Sequence, residues 1–270
     1  MRMLFSKKIL AMVISTILFP ATALANPILD GDTMTWDGTS LPDRNDSILQ
    51  QGGLSGVHNL VVKNYNIIDF QLGNTFKGMN IPSIISLGVG NSTESNPNYG
   101  DLSLTVLDSV IKGRIDYKWL WGGLYLRSDT EGSTIVTTSN SNIDLTVSQS
   151  LGGWLQGAAI YTEHKGEEGH SEVVLSEGSD ITLTLEAPGV AADYNPAVLA
   201  YANLGTTAVT AEKNTLITTL GLGATGIKTY SRDGSTIVHA GTINSLGDAG
   251  NGISAHAAED SKGVISIANL

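Results

Sequence analysis

The clearest pattern of apolar and polar positions is a repeat within residues 221–270. A glycine, a short alternating segment, a polar turn and a β-branched segment follow one another twice, from Gly226 to Val238 and from Gly252 to Ile267. The two glycines lie 26 positions apart (252 − 226). A unit this short cannot bury its own apolar face, so the pattern predicts units that stack on one another.

Looser copies of the same unit precede this repeat. Each copy places a small residue before an apolar anchor and then alternates with the period of two that is typical of a β-strand. The five anchors are Leu124, Ile160, Val198, Ile227 and Ile253. Their spacings of 36, 38, 29 and 26 are too variable for helical repeats, which keep a nearly fixed period.

Further strands follow each anchor after a polar turn. The second strands are predicted at 135–136, 173–175, 208–209, 237–238 and 264–265, and third strands at 143–147 and 181–185. Three strands per unit and turns of free length predict an all-β chain that forms a right-handed parallel β-helix. Residues 26–80, which are irregular and rich in turn signals, predict an N-terminal cap, and residues 81–270 the β-helix repeats.

The N-terminal residues have the three parts of a secretory signal peptide. A basic start precedes an apolar run over 9–19 and a small-residue cleavage site, Ala23-Leu24-Ala25. A membrane-spanning helix needs about 20 apolar residues, and Pro20 ends this run too early. We therefore expect residues 1–25 to be removed and the mature chain to begin at Asn26. The basic residues are Arg2, Lys7 and Lys8.

Composition and charge narrow the classes of function. The chain has 31 glycines, no cysteine and a formal net charge of −11, which becomes −14 when the three positive charges of residues 1–25 are removed. Such an acidic protein is repelled by phosphate backbones and anionic lipid surfaces, so we expect neither nucleic acid nor a membrane surface as a partner. A long repetitive core needs no disulfides, which agrees with the absence of cysteine.

These features resemble the passenger domains of Gram-negative autotransporters, of the pertactin-like and adhesin type. The resemblance is carried by the signal peptide, the acidic Gly/Ser/Thr/Asn-rich composition and units such as Gly252–Ala257, and it covers 120–270 closely and 26–119 loosely. It implies export through the periplasm to the cell surface, the outer membrane or the medium. It also implies an outer-membrane translocator barrel in a full-length chain. The sequence stops inside a repeat, so we expect a truncated passenger, or export by another route, with an open last unit that can self-associate.

Catalytic motifs are not evident. A serine-protease passenger would carry Gly-Asp-Ser-Gly, but Gly247–Gly250 has Ala249 at the nucleophile position. Polysaccharide lyases need a basic residue beside carboxylates, and Arg127 with Asp129 and Glu131 is the nearest approach to that arrangement. We predict no catalytic residue, no cofactor and no enzyme activity. A polysaccharide-acting β-helix enzyme and a secreted β-sandwich or fimbrial component remain the alternatives.

Two other groups of residues are candidates for binding. Residues 163–172 contain two histidines and four glutamates but no metal-ligand spacing, so a hydrated turn is expected and metal binding is left open. Aromatic rings can stack on sugars, and the candidate glycan contacts are Trp119, Trp121 and Trp154, with Tyr125 and Tyr161 beside them; packing into the core is the alternative. The predicted function is adhesion to a receptor or glycan of a host or neighbouring cell.

Overall fold

The computed structural model describes twelve segments of the chain. They are residues 27–40, 48–50, 56–72, 83–88, 100–115, 122–129, 132–147, 158–166, 168–186, 195–248, 250–257 and 263–269. Within them the chain forms strands and one short 3-10 helix, Gly38–Ser40. No helix of the described segments is long and apolar enough to cross a membrane.

The strands are short and follow one another along the whole described chain. They are β1 (Ile28–Asp30), β2 (Thr33–Asp37), β3 (Ile48–Gln50), β4 (Asn59–Lys63), β5 (Asn66–Leu72), β6 (Ser83–Leu87), β7 (Leu102–Leu107), β8 (Val110–Ile115), β9 (Gly122–Ser128), β10 (Gly132–Ser139), β11 (Asn142–Val147), β12 (Ala158–His164), β13 (Gly169–Leu175), β14 (Asp180–Leu185), β15 (Asn195–Ala202), β16 (Thr206–Ala211), β17 (Leu216–Leu220), β18 (Ala224–Ser231), β19 (Thr236–Ala240), β20 (Thr242–Ser245), β21 (Ile253–Ala257) and β22 (Ile265–Asn269).

These strands form three sheets, in which the chain adds one strand to each sheet in turn. Sheet A has the order β1-β2-β4-β7-β10-β13-β16-β19-β22, sheet B the order β3-β6-β9-β12-β15-β18-β21, and sheet C the order β5-β8-β11-β14-β17-β20. From β3 to β19 each strand pairs in parallel with the third strand after it, whereas β2 pairs in parallel with β4. The predicted all-β class is confirmed. An antiparallel β-sandwich does not have this pairing.

The five predicted anchors occupy one column of sheet B. Leu124 pairs with Ile160, Ile160 with Val198, Val198 with Ile227, and Ile227 with Ile253. The first four are fully buried and Ile253 is partly buried against the core. The unequal spacings therefore lie in the segments between strands, while the strands keep one register.

The last two repeats align as the sequence pattern predicts. The segment that ends at Val238 lies opposite the segment that ends at Ile267, because Thr236 pairs with Ile265 and Val238 with Ile267. Strand β22 begins at Ile265, one residue after the start of the predicted segment, and extends to Asn269.

The core between the sheets is built from columns of like residues. On sheet C six isoleucines pair in succession, and all but the last are buried. They are Ile67, Ile111, Ile143, Ile181, Ile217 and Ile243. Stacked β-branched side chains pack well on a pleated surface, so each such column joins neighbouring strands through apolar contact as well as backbone hydrogen bonds.

The connection from sheet A to sheet C contains a residue in the left-handed backbone conformation, with positive φ. Asn64, Asp108 and Asn140 have φ values of 55°, 46° and 46°, a conformation that Asn and Asp tolerate because their side chains bond locally. The Asn140 amide donates to Asp108 Oδ1 at 2.7 Å. Ser109 and Ser141 follow this residue, are buried, and bond to one another through the Ser109 N–H and Ser141 Oγ at 3.2 Å.

The predicted N-terminal segments are only partly within the described chain. The signal peptide, residues 1–25, lies outside the described residues. The cap over residues 26–80 stays a prediction, although β2 to β5 lie within it and pair with later strands in all three sheets. Strand β1 pairs with β2 in the antiparallel sense and covers that edge of sheet A.

A row of glycines marks the corner where the chain enters sheet A. Gly132 pairs with Gly169, and Gly100, Gly205 and Gly234 hold the equivalent positions. A Cβ built at Gly234 would collide with the carbonyl oxygen of Gly205, and one at Gly205 with that of Gly169. The backbones touch directly here, so only glycine fits.

The glycine row predicts a sharp difference between two substitutions. Gly234→Ala should lower the free energy of unfolding by about 2 kcal/mol, because backbone must move to admit the methyl group. Gly252→Ala is the matched control: neither glycine has a positive φ, and a Cβ at Gly252 meets nothing within 4 Å. That control should stay within about 0.5 kcal/mol of the parent in urea unfolding. Equal losses in both variants would contradict the close-packed corner.

Candidate functional site: the outer face of sheet B

Sheet B presents two columns of side chains on the side away from the core. Residues 124 and 126 of β9 belong to the core, so 125 and 127 point the other way. The first column is Tyr125, Tyr161, Leu199, Lys228 and Ser254, and the second is Arg127, Glu163, Tyr201, Tyr230 and His256. We call this surface the sheet B face.

One half of the sheet B face, on β9 and β12, is buried and ionically paired. The Tyr125 hydroxyl donates to Glu163 Oε2 at 2.6 Å, and Lys165 Nζ lies 3.2 Å from Glu163 Oε1. Arg127 binds Asp129 at 2.7 Å and approaches Glu163 Oε2 at 3.9 Å. A buried carboxylate is tolerated only when it is paired and hydrogen-bonded, and Glu163 meets both conditions.

Burial and the Glu163 carboxylate also raise the pKa of the neighbouring tyrosine hydroxyls. The Tyr125 and Tyr161 rings are fully buried, with centroids 5.1 Å apart. Burial, and then the negative charge of Glu163, raise the pKa of both hydroxyls well above 10.0. Both tyrosines therefore stay neutral over the physiological range, and Tyr125 stays a hydrogen-bond donor to Glu163.

The other half of the sheet B face, on β15, β18 and β21, carries a stack of three rings. Tyr201 and Tyr230 are parallel within 3° with centroids 5.2 Å apart, and Tyr230 and His256 are within 13° at 4.8 Å. The tyrosines are partly exposed and His256 is exposed. Both faces of Tyr230 are covered by neighbouring rings, so Tyr230 presents its edge and hydroxyl outward.

Two basic residues lie near this stack. Lys228 belongs to β18 two residues before Tyr230, so both residues lie on the same side of the strand. Arg232 follows the end of β18 and is exposed, as is its neighbour Asp233. The charge of Arg232 opposes the rise in the pKa of Tyr201 that partial burial and Glu163 produce.

The structure treats the predicted aromatic contacts unequally. Trp119, Trp121 and Trp154 lie outside the described residues. Tyr125 and Tyr161 are described and fully buried, so no ligand reaches their rings in this structure.

Sequence reasoning missed the ring stack, although its signal was present. Tyr201, Tyr230 and His256 each follow their anchor by three positions, at Val198, Ile227 and Ile253. The alignment of the anchors therefore already placed the three rings in one column.

The acidic segment 163–172 is mostly strand, not the hydrated turn that was expected. His164 ends β12 and points into the core, fully buried, with its ring against Gly169. His170 belongs to β13 in sheet A, where it contacts Thr206 at 2.7 Å and Glu172 at 3.0 Å. The two histidines do not converge. Among the described residues no three His, Asp or Glu side chains are grouped to hold a metal ion.

Of the residues that the sequence offered as a basic group beside carboxylates, Arg127 and Asp129 are described, and Glu131 lies outside the described residues. Arg127 and Asp129 are paired as the sequence suggested, and Glu163 joins them. The Glu163 residue is 3% exposed and held by Tyr125 and Lys165, so it cannot approach a polysaccharide in this conformation. These contacts join strand β9 to strand β12, and they do not present a reactive group to a substrate.

Comparisons with protein-family models, curated proteins and solved structures gave no match to this chain. The resemblance to autotransporter passengers consequently stays a prediction.

The buried pair of Tyr125 and Glu163 predicts a dependence of stability on alkaline pH. The folded state keeps the Tyr125 proton above pH 10.0, where the unfolded chain loses it. The pair of Tyr125 and Glu163 therefore makes its full contribution to the free energy of unfolding below pH 10. That contribution falls as the pH rises further, by about 1.4 kcal/mol per pH unit for one proton.

The test compares the parent with Tyr125→Phe by the urea midpoint at increasing pH. At neutral pH the variant should be less stable by about 2 kcal/mol, since a hydrogen bond to a charged group is lost. Above pH 10 the difference should shrink, because the variant has no proton to lose at this position. A difference that stays constant to pH 11 would contradict this account.

Proposed function

We propose that the chain folds as a right-handed parallel β-helix and acts as an exported adhesive protein of the autotransporter-passenger type. Support for the fold comes from the three sheets, in which each strand from β3 to β19 pairs in parallel with the third strand after it. One strand from each sheet then makes one rung of the helix. The right hand is the one favoured for crossover connections between parallel strands.

The proposal of export rests on the N-terminal sequence. The basic start, the apolar run over 9–19 and Ala23-Leu24-Ala25 form a signal peptide. A chain with no cysteine also forms no disulfide that would hinder passage across a second membrane unfolded. The site of action in this proposal is the surface of a Gram-negative cell or the medium around it.

The adhesive role rests on one observation, the partly exposed ring stack of Tyr201, Tyr230 and His256 on the sheet B face. The stack is held on a hydrogen-bonded sheet, so its rings keep fixed positions before a partner arrives. Preorganised groups lose little entropy on binding, and this favours recognition. Partner binding without bond chemistry is the function that such a surface supports best.

Export predicts a definite mass for the mature protein. When the protein is expressed with its own N-terminus in a Gram-negative host, it should be found outside the cytoplasm. Its intact mass should be that of a chain that begins at Asn26. Substituting Ala23 and Ala25 by bulky residues should block cleavage, because the signal peptidase site requires small side chains. Uncleaved protein confined to the cytoplasm would contradict export.

Adhesion predicts saturable binding of the purified mature chain to cell surfaces. Fluorescently labelled protein should bind epithelial or bacterial cells and be displaced by an excess of unlabelled protein. The same protein unfolded by heat is the control and should not compete. Incubation with polyuronic acids should leave their chain length unchanged; shortened products would favour the alternative of a polysaccharide-acting enzyme.

A further inference from the structure

We propose that the outer face of sheet A carries an esterase site, in which Thr206 is the nucleophile, His170 the general base and Glu172 the residue that orients the histidine. We call these three residues the sheet A triad. The site goes beyond the adhesive function, which involves no bond chemistry, and it departs from the sequence-based prediction that the chain has no catalytic residue.

The sheet A triad is joined by two hydrogen bonds that run through the imidazole ring. His170 Nδ1 lies 2.7 Å from the Thr206 hydroxyl oxygen, and His170 Nε2 lies 3.0 Å from Glu172 Oε2. A hydroxyl within hydrogen-bond reach of a base, which is in turn held by a third group, is the arrangement that activates a serine or threonine nucleophile.

Strand register brings the three side chains together. His170 and Glu172 are two residues apart on β13 and lie on one side of sheet A, and Thr206 pairs with His170 from the neighbouring strand β16. The next residues along these strands, Ser171 and Thr207, are fully buried, which places the triad on the outer side. Because all three residues belong to hydrogen-bonded strands, their relative positions are set before a substrate arrives.

The carboxylate of Glu172 determines which nitrogen of His170 carries the hydrogen. An ionised carboxylate only accepts hydrogen bonds, so Nε2 must donate to Glu172. In the neutral imidazole Nδ1 is then the acceptor, and the Thr206 hydroxyl donates to it. This is the tautomer in which His170 can take the hydroxyl proton as Thr206 attacks.

The sheet A triad is open to ligands, unlike the buried carboxylate of the sheet B face. The side chains of His170 and Glu172 are 34% and 26% exposed, and Thr206 is partly exposed. Ala208, on the same side of β16, pairs with Ile237, which is 37% exposed, and the two form a small apolar surface beside Thr206. A surface made by two aliphatic side chains suits a short acyl chain, so the substrate class is the ester of a short-chain carboxylic acid.

Ester cleavage at this site proceeds in two steps. Thr206 Oγ1 forms a bond to the acyl carbon while His170 Nδ1 takes the hydroxyl proton, and that proton passes to the alcohol oxygen as the ester C–O bond breaks. A water molecule then attacks the acyl-threonine, and His170 takes a proton from the water and returns it to Thr206 Oγ1 as the acid leaves. One ester and one water thus become one acid and one alcohol.

The negative charge that develops on the carbonyl oxygen during each attack needs a hydrogen-bond donor. Ser235 lies beside Thr206 across sheet A, about 4.8 Å away, since the residues that follow them pair with each other. The Ser235 oxygen accepts a hydrogen bond from the Val264 N–H at 3.1 Å. This contact leaves the Ser235 hydroxyl hydrogen for another acceptor, such as the carbonyl oxygen of the substrate.

The test is hydrolysis of p-nitrophenyl acetate by the purified protein, followed by the release of nitrophenolate. Thr206→Val, which removes only the hydroxyl, and His170→Gln should each lower kcat/KM by at least about 100-fold. Thr206→Ser keeps a hydroxyl and should stay within about tenfold of the parent. Hydrolysis by the parent no faster than by Thr206→Val would overturn the site.

Matched controls remove the same groups elsewhere on sheet A. Thr210→Val acts on the same strand and the same side as Thr206, and His239→Gln removes a partly exposed histidine of β19. Each control should change kcat/KM by less than about twofold, and circular dichroism should show that all variants are folded. Equal losses in His170→Gln and His239→Gln would mean that surface imidazoles alone cleave the probe, which would overturn the site.

Glu172 is a positioning residue, because it acts through His170. The amide of Glu172→Gln can donate to Nε2, which moves the imidazole hydrogen to Nδ1 and removes the acceptor that the Thr206 hydroxyl needs. Both kcat and kcat/KM should therefore fall together, by at least about 100-fold. An unchanged kcat would show that Glu172 has only a structural role and would overturn the triad.

Covalent labelling tests the nucleophile without any variant. A fluorophosphonate reacts with an activated hydroxyl and loses fluoride, so the parent protein should gain one label, and peptide mass analysis should find it on Thr206. A label spread over several hydroxyl residues, or no label, would overturn the assignment of Thr206 as the nucleophile.

Discussion

Parallel backbone pairing of each strand from β3 to β19 with the third strand after it is the constraint on which this structure depends. This pairing sets the distance between neighbouring strands at about 4.8 Å. It also places each side chain next to the side chains at the matching positions of the two strands that flank it. This pairing aligns the six isoleucines of sheet C in one column and the anchors from Leu124 to Ile253 in another. The same pairing admits only glycine where backbones touch at the corner into sheet A.

This constraint also organises the sheet B face. Two columns run along it, and their character changes from one end to the other. On β9 and β12 the columns hold a buried carboxylate among phenols and cations, a group of charges that satisfy one another. On β15 to β21 the second column holds the ring stack, in which the two tyrosines are partly exposed and His256 is exposed. One end of the face thus joins neighbouring strands through paired charges, and the other end places aromatic rings at the surface.

The sequence was sufficient for the features that repeat. Alternation and the five anchors predicted strands and their alignment, because the core repeats its chemistry in every unit. The burial of Tyr125 and Glu163 could not be predicted, because an outward position does not reveal what covers it. The ring stack was missed because outward positions differ between units and were not compared.

The segments between strands vary in length while the anchors of sheet B keep one register. Lengthening such a segment costs little free energy, about 0.6 kcal/mol for each doubling of a flexible loop. Insertion of one residue inside a strand would instead turn its remaining side chains to the opposite face. Variation in a lineage of such proteins would then accumulate at the corners, where new recognition elements can be added without disturbing the core. The anchor spacings of 36, 38, 29 and 26 show that segments of unequal length occur between aligned strands within this one chain.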